Sequence, residues 1–171
     1  DLVIGCDAIV SASDEVLSKV QHGQTRAIIN SMASPTADFI KNPNWRFPGS
    51  SAEADIRAAV GDACAFEDAN TLAVRLLGDA IFTNPLVLGF AWQKGWVPLT
   101  HDALIRAIEL NGVAVEKNKT AFEWGRHLAQ DREAVLKLAG DAPRAKADVI
   151  ALPSLDTLIA RRVDLLTAYQ N

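Results

Sequence analysis

Cysteine is almost absent from this chain, with only Cys6 and Cys64 among 171 residues. Two thiols supply neither a disulfide framework nor the four thiolates that an iron–sulfur cluster usually takes. Both are expected to be buried free thiols in a reducing cytoplasm. Basic charge is also short: 17 Lys and Arg against 21 Asp and Glu leave a net charge of -4 and a pI near 5.3. The basic residues are scattered and form no stripe that could follow a phosphate backbone, so nucleic acid is not an expected partner. Long hydrophobic runs are missing too. The most apolar stretch without charge, Ala80 to Trp92, falls well short of the ~20 residues of a membrane span and reads as a core helix of a soluble, cytoplasmic protein. No initiator Met, basic leader or cleavage pattern precedes Asp1-Leu2-Val3-Ile4-Gly5, so the chain is expected to start within a longer polypeptide.

Catalytic signatures are lacking as well. The sequence has no G-x-G-x-x-G, no Walker A loop, no C-x-x-C, no H-E-x-x-H and no G-x-S-x-G. The three histidines, His22, His101 and His127, fall in a turn, at a helix start and on a polar helix side, where ordinary surface histidine is the expected role. No metal ligand or catalytic group is assigned.

What is present is apolar sequence enough for a core, 49% of residues, arranged as alternating strands and helices. Ala8 to Ala12 is a short β-favouring run, and Ser13 is a candidate N-cap for a helix from Asp14 to Val20 that stops at Gly23. Arg26 to Asn30 reads as a strand. After a loop from Ser31 to Gly49, Ser50 and Glu53 suggest a capping box for a helix closed by Gly61. Ala63 to Phe66 is a third apolar run. The expected fold is α/β, a three-layer Rossmann-like domain with a mainly parallel sheet and helices on both faces.

The middle third predicts a helical subregion. Apolar residues fill Thr71 to Leu77 and Pro85 to Trp92 almost without interruption, as in helices buried on most sides. Asn84 is a candidate N-cap with Pro85 at the first helical position. Thr100 is expected to cap a helix from His101 to Leu110, with Leu99 packed on Leu104 as a hydrophobic staple and Asn111-Gly112 as the stop. In a helix from Ala114 to Ala129, the residues Ala114, Ala121, Gly125 and Leu128 share a stripe with Val115 and Phe122, and Asn118 falls inside it. Residues 131–153 read as a linker region, Pro143 to Pro153 most clearly. Ser154 then caps a helix with Leu155, Leu158, Ile159, Leu165, Leu166 and Tyr169 on one face. That helix is read as leading into a following domain.

Several positions carry two readings. Gly78-Asp79 is similar to the start of a thiamine diphosphate motif, but no second glycine precedes it and no Asn-rich segment follows, so a helix-interrupting glycine is preferred. Asp7 is either a strand-edge acid or a turn former. Trp92 and Trp96 are either a ligand platform or packing rings, and packing is preferred. Asn84 and Asn118 are the candidate cofactor-binding residues, with an N-cap and a backbone-bonded amide as the structural alternatives.

Three segments carry a family likeness: Gly5-Cys6-Asp7-Ala8-Ile9-Val10-Ser11-Ala12-Ser13-Asp14-Glu15, Asn84-Pro85-Leu86-Val87-Leu88-Gly89 and Ala114-Val115-Glu116-Lys117-Asn118-Lys119-Thr120-Ala121-Phe122. Together they resemble the gamma-type domain of 2-oxoacid:ferredoxin oxidoreductases, in particular the long fused bacterial indolepyruvate type, over residues 1–130. The resemblance implies a parent enzyme that decarboxylates a 2-oxoacid oxidatively on thiamine diphosphate with magnesium. Electrons would pass through [4Fe-4S] clusters to ferredoxin, and an acyl-coenzyme A would be released. It further implies that these cofactors sit on other domains of the same polypeptide and that the parent is a homodimer. Gamma domains of the family begin with a Gly-rich loop after a first strand, and this chain is expected to start beyond both. On this reading the fragment frames the substrate and binds no cofactor by itself. The alternatives are a free-standing Rossmann-like domain that binds a nucleotide or coenzyme A, and a pure interaction module working through the 155–169 face.

Overall fold

The computed structural model describes residues 1–32, 49–141 and 155–170. Strands β1 (Leu2–Gly5), β2 (Arg26–Asn30) and β3 (Cys64–Glu67) form one sheet in the order β1-β2-β3. Both pairings are parallel, with Val3 opposite Ala27 and Ala27 opposite Cys64. Parallel neighbours require crossovers. Helices α1 (Ala8–Ser11) and α2 (Asp14–Leu17) lie in the first and α3 (Gly49–Val60) in the second.

Strand alternation sends successive side chains to opposite faces and so builds two cores. On one face Ala27 and Ile29 pack with Ala8 of α1 and with Ile56 and Val60 of α3. On the other, Ile28 meets the larger core of α4 (Ala69–Leu77), α5 (Thr83–Gln93), α7 (Val115–Gln130) and α8 (Arg132–Asp141). The result is the α/β fold with helices on both sheet faces. Local chemistry sets the helix ends. Asp68 accepts from the Thr71 N–H at 2.9 Å to start α4. Thr100 accepts from the Ala103 N–H at 3.2 Å to start α6 (His101–Asn111).

Helix α5 is buried nearly all round, with Leu86, Val87, Gly89, Phe90 and Ala91 inaccessible. Its packing against α7 depends on two glycines. A Cβ on Gly89 would overlap the carbonyl oxygen of Phe122, and one on Gly125 would overlap that of Leu86. The backbones therefore touch directly, a distance only hydrogen in place of Cβ permits. Lys117 lies over the Phe82 ring at one end of the pair, and Arg126 bonds Gln93 at the other. The two helices thus run in the same direction, with α6 returning between them in the chain.

Several expectations from sequence are corrected. Ala8 to Ala12 is no strand: the strand is Leu2–Gly5, and Ala8–Ser11 is a short helix whose Val10 N–H is accepted by the Asp7 carboxylate at 3.0 Å. The turn-forming role of Asp7 is thereby the one adopted. The helix after Ser13 ends at Leu17, and Ser13 makes no side-chain cap bond. Ser50 lies inside α3, and Glu53 pairs with Arg57 four residues on, not with a cap. Asn84 is not the cap of α5. A 3-10 turn, Ala80–Phe82, runs into the helix, which starts at Thr83. Pro85 is accommodated within the first helical turn, where no N–H is required. Leu99 is 55% exposed, and its carbonyl takes the Trp92 indole N–H at 2.8 Å.

Two further corrections concern the last part of the chain. Residues 132–141 of the expected linker form α8, whose Val135 and Ala139 are buried in the larger core; the Pro143 to Pro153 reading lies outside the described residues. Ala114 belongs to no buried stripe: it is exposed and sits just before α7 with φ 44°. The tail helix α9 (Leu155–Gln170) leaves Leu155, Ile159, Leu165 and Leu166 exposed.

The glycine contact yields a paired prediction. Gly125→Ala forces the α5 and α7 backbones apart and should cost about 3 kcal/mol in urea unfolding, at the upper end of overpacking effects. Gly140→Ala in α8 meets nothing within 4 Å and should be neutral or stabilising by up to about 1 kcal/mol. Equal effects at the two positions would refute the contact.

Candidate functional site

Ligands of parallel α/β sheets bind beyond the carboxyl ends of the strands. β1 ends at Gly5, where a Cβ would overlap the Ser11 hydroxyl and approach Ile29 Cδ1 to 2.6 Å. The close turn puts Cys6 at the sheet end, exposed and not buried as expected, with partial burial raising its thiol pKa. Cys64 is half-buried on β3. Burial, reinforced by the nearby Glu53 and opposed by Arg57, pushes its thiol up to about 11. Neither environment favours a reactive thiolate.

Asn30, at the end of β2, is 4% exposed and fully engaged. Its Nδ2 donates to the Cys6 carbonyl and to Asn70 Oδ1, both at 3.1 Å, while its Oδ1 accepts from the Ala69 N–H at 3.1 Å and the Met32 N–H at 3.4 Å. The Thr83 hydroxyl adds a bond to Asn70 Oδ1 at 2.8 Å. This relay ties β1, β2, α4 and the start of α5 together. Its polar groups are committed to one another, which makes it structural. The sequence reading treated Asn30 only as a strand residue; a polar amide closing an apolar strand was the available signal.

Two ion-pair systems lie elsewhere. Glu67 of β3, its side chain 7% exposed, accepts from Arg132 Nε at 2.7 Å, and this bond raises the arginine's pKa. It anchors α8 across 65 residues of chain. His101 Nε2 lies 2.9 Å from Glu123 Oε1, and Glu123 also takes Arg126 at 2.6 Å. The Arg126 guanidinium covers the Trp92 ring, which also packs on His101 and Phe122. Trp96 meets Phe90 edge-on. Both tryptophans are thus packing rings, as the sequence reading preferred. His22 and His127 are exposed, His127 against Trp124.

The two candidate amides, Asn84 and Asn118, line one cleft. It has a volume of about 340 Å³ between α5, α6 and α7, with Pro85, Leu88, Leu104, Ala107, Ile108 and Asn111 completing its walls. Asn118 is half-buried, and its Nδ2 donates to the Val113 carbonyl at 2.8 Å. That bond spans Ala114, the residue held at φ 44°, and so fixes the tight α6–α7 turn. Lys119 closes the same turn by donating to Glu109 at 3.0 Å, which raises the lysine and lowers the glutamate pKa. Asn84 is exposed.

No family model, curated protein or solved structure matches the chain. Among the described residues no group of three or more His, Cys, Asp or Glu is placed to hold a metal ion. No helix among them is long and apolar enough to cross a membrane.

The Asn118 bond leads to a specific expectation. Asn118→Ala should lose about 1 kcal/mol of stability through the missing bond to the Val113 carbonyl. Ala114→Gly in the same background should restore part of it, because glycine accepts the left-handed backbone at Ala114 without strain. Chemical denaturation of the single and double variants checks this, and an unchanged midpoint for Asn118→Ala would show that the bond does not hold the turn.

Proposed function

We propose that this chain acts as the gamma-type domain of a 2-oxoacid:ferredoxin oxidoreductase whose substrate is indolepyruvate or another arylpyruvate. The observation that supports the reading is where the three likeness-bearing segments lie. Asn84–Gly89 and Ala114–Phe122 belong to the two helices that cross at Gly89 and Gly125, and together they rim one cleft. Gly5–Glu15 forms the end of β1 and the close turn into α1 and α2. The likeness thus includes Gly5, Gly89 and Phe122, where the chain makes its close backbone contacts.

On this reading the chain contributes framework. Its two thiols do not fit a four-thiolate cluster, and Cys6 and Cys64 lie on opposite ends of their strands, β1 being followed by Cys6 and β3 begun by Cys64. Thiamine diphosphate, magnesium and [4Fe-4S] clusters are assigned to other domains of the parent polypeptide, with coenzyme A as co-substrate and ferredoxin as electron acceptor. The tasks left to these residues are to pack against the thiamine domains, to shape the substrate cleft and to support the parent homodimer.

The test compares the parent polypeptide with the isolated chain. Purified without oxygen and supplied with thiamine diphosphate, magnesium, coenzyme A and an electron acceptor, the parent should release carbon dioxide from indolepyruvate. The isolated 171-residue chain should be colourless and release none above a heat-killed control. Carbon dioxide release or a cluster absorption band from the isolated chain would overturn the reading, as would a parent polypeptide that oxidises no 2-oxoacid.

A further inference from the structure

The cleft between α5, α6 and α7 differs from the network at the sheet end in one respect: its polar groups are not used up. Asn118 Nδ2 is held by the Val113 carbonyl, which can only accept, so the amide orientation is fixed and Oδ1 is left as an acceptor. Asn84 and Asn111 are exposed, and their side chains have no hydrogen-bond partner among the described residues. The remaining walls, Pro85, Leu88, Leu104, Ala107 and Ile108, are apolar. Leu104 is 8% exposed and gives the cleft a firm base.

Charge is excluded from the lining. Not one Asp, Glu, Lys, Arg or His is among the wall residues. Charges on the helices that form the cleft are engaged with other groups: Glu109 is shared by Arg106 at 2.9 Å and Lys119 at 3.0 Å. Lys117 stands over the Phe82 ring. A volume of about 340 Å³ lies at the small end of the ~300–1,000 Å³ of ligand pockets, which combine apolar walls with a few fixed polar groups. A charged ligand would lose hydration here without a counter-charge. A purely aliphatic one would leave the amides unanswered.

We propose that this cleft binds an uncharged bicyclic nitrogen heterocycle carrying both an N–H donor and a ring-nitrogen acceptor. The ring body lies on the apolar walls, the N–H donates to Asn118 Oδ1, and the ring nitrogen accepts from an amide N–H of Asn84 or Asn111. The inference stands on the cleft alone and is independent of the gamma-domain reading.

Benzimidazole is a suitable probe, with 1-methylbenzimidazole as the form lacking the donor. Titration into the full ¹⁵N-labelled chain should give saturable shifts confined to the backbone of 104–108 and the side-chain amides of Asn84, Asn111 and Asn118. The methylated probe should bind roughly threefold to tenfold more weakly, the value of one lost hydrogen bond. Asn84→Ala combined with Asn111→Ala should weaken benzimidazole by a similar factor, and Ala107→Trp should abolish binding by filling the mouth. All three positions are exposed, so none of these changes threatens the fold. Non-saturating shifts, saturation at other residues, equal affinity for the two probes, or undiminished binding by Ala107→Trp would each overturn the proposal.

Discussion

Direct backbone contact between α5 and α7 at Gly89 and Gly125 is the constraint from which the rest of the helical layer follows. With no Cβ between them, the helices approach closely enough for Phe90, Ala91, Ala121 and Phe122 to become almost inaccessible. The close approach also decides what stands at the edges of the pair. Trp92 reaches Phe122 and His101, and Arg126 reaches Gln93. Helix α6 is then laid against α7 through the His101–Glu123 contact and the Lys119–Glu109 bond. The amide-rimmed cleft is the space left where three helices meet at this spacing. A wider α5–α7 separation would open its base.

The sheet joins this helical unit through few but well-satisfied contacts. Ile28 carries the central strand into the larger core. Asn30 and Asn70 lock the carboxyl ends of the strands to α4, and Thr83 extends the lock to the first turn of α5. Glu67 and Arg132 hold α8 to the strand at the sheet's edge. Buried polar groups that are fully paired fix one arrangement instead of many. Such a body holds its own surfaces at set distances, as the framing role proposed for the chain requires.

How far the fold could be read from sequence follows from which signals are local. β2 and the cap and stop of α6 were legible because an apolar run, a threonine and a glycine act on their immediate neighbours. The parallel sheet was legible because strands and helices alternate. The first strand was not, since Leu2-Val3-Ile4 and Ala8-Ile9-Val10 are equally β-favouring; only the Asp7 cap and the closeness of Gly5 to Ser11 decide between them. The start of α5 was misplaced because a 3-10 turn made Asn84-Pro85 interior to the first turn. Helix α8 was hidden because its weak amphipathic pattern is stabilised by a long-range partner, Glu67, that no local window contains. Of the candidate site, Asn84 and Asn118 were both singled out. Their meeting in one cleft, and the bond that fixes the Asn118 amide, depend on the α5–α7 crossing and could not be seen from spacing.

Native-state hydrogen exchange, residue by residue, tests the central role of the glycine crossing most directly. Amides of Phe90 in α5 and of Phe122 and Leu128 in α7 should exchange only through global unfolding, with the same free energy as Ile28 and Ile29 of β2. Opening of α5 or α7 at a free energy several kcal/mol below that of β2 would contradict it, because the helix pair would then be a late addition to the sheet and not the contact on which the helical layer depends.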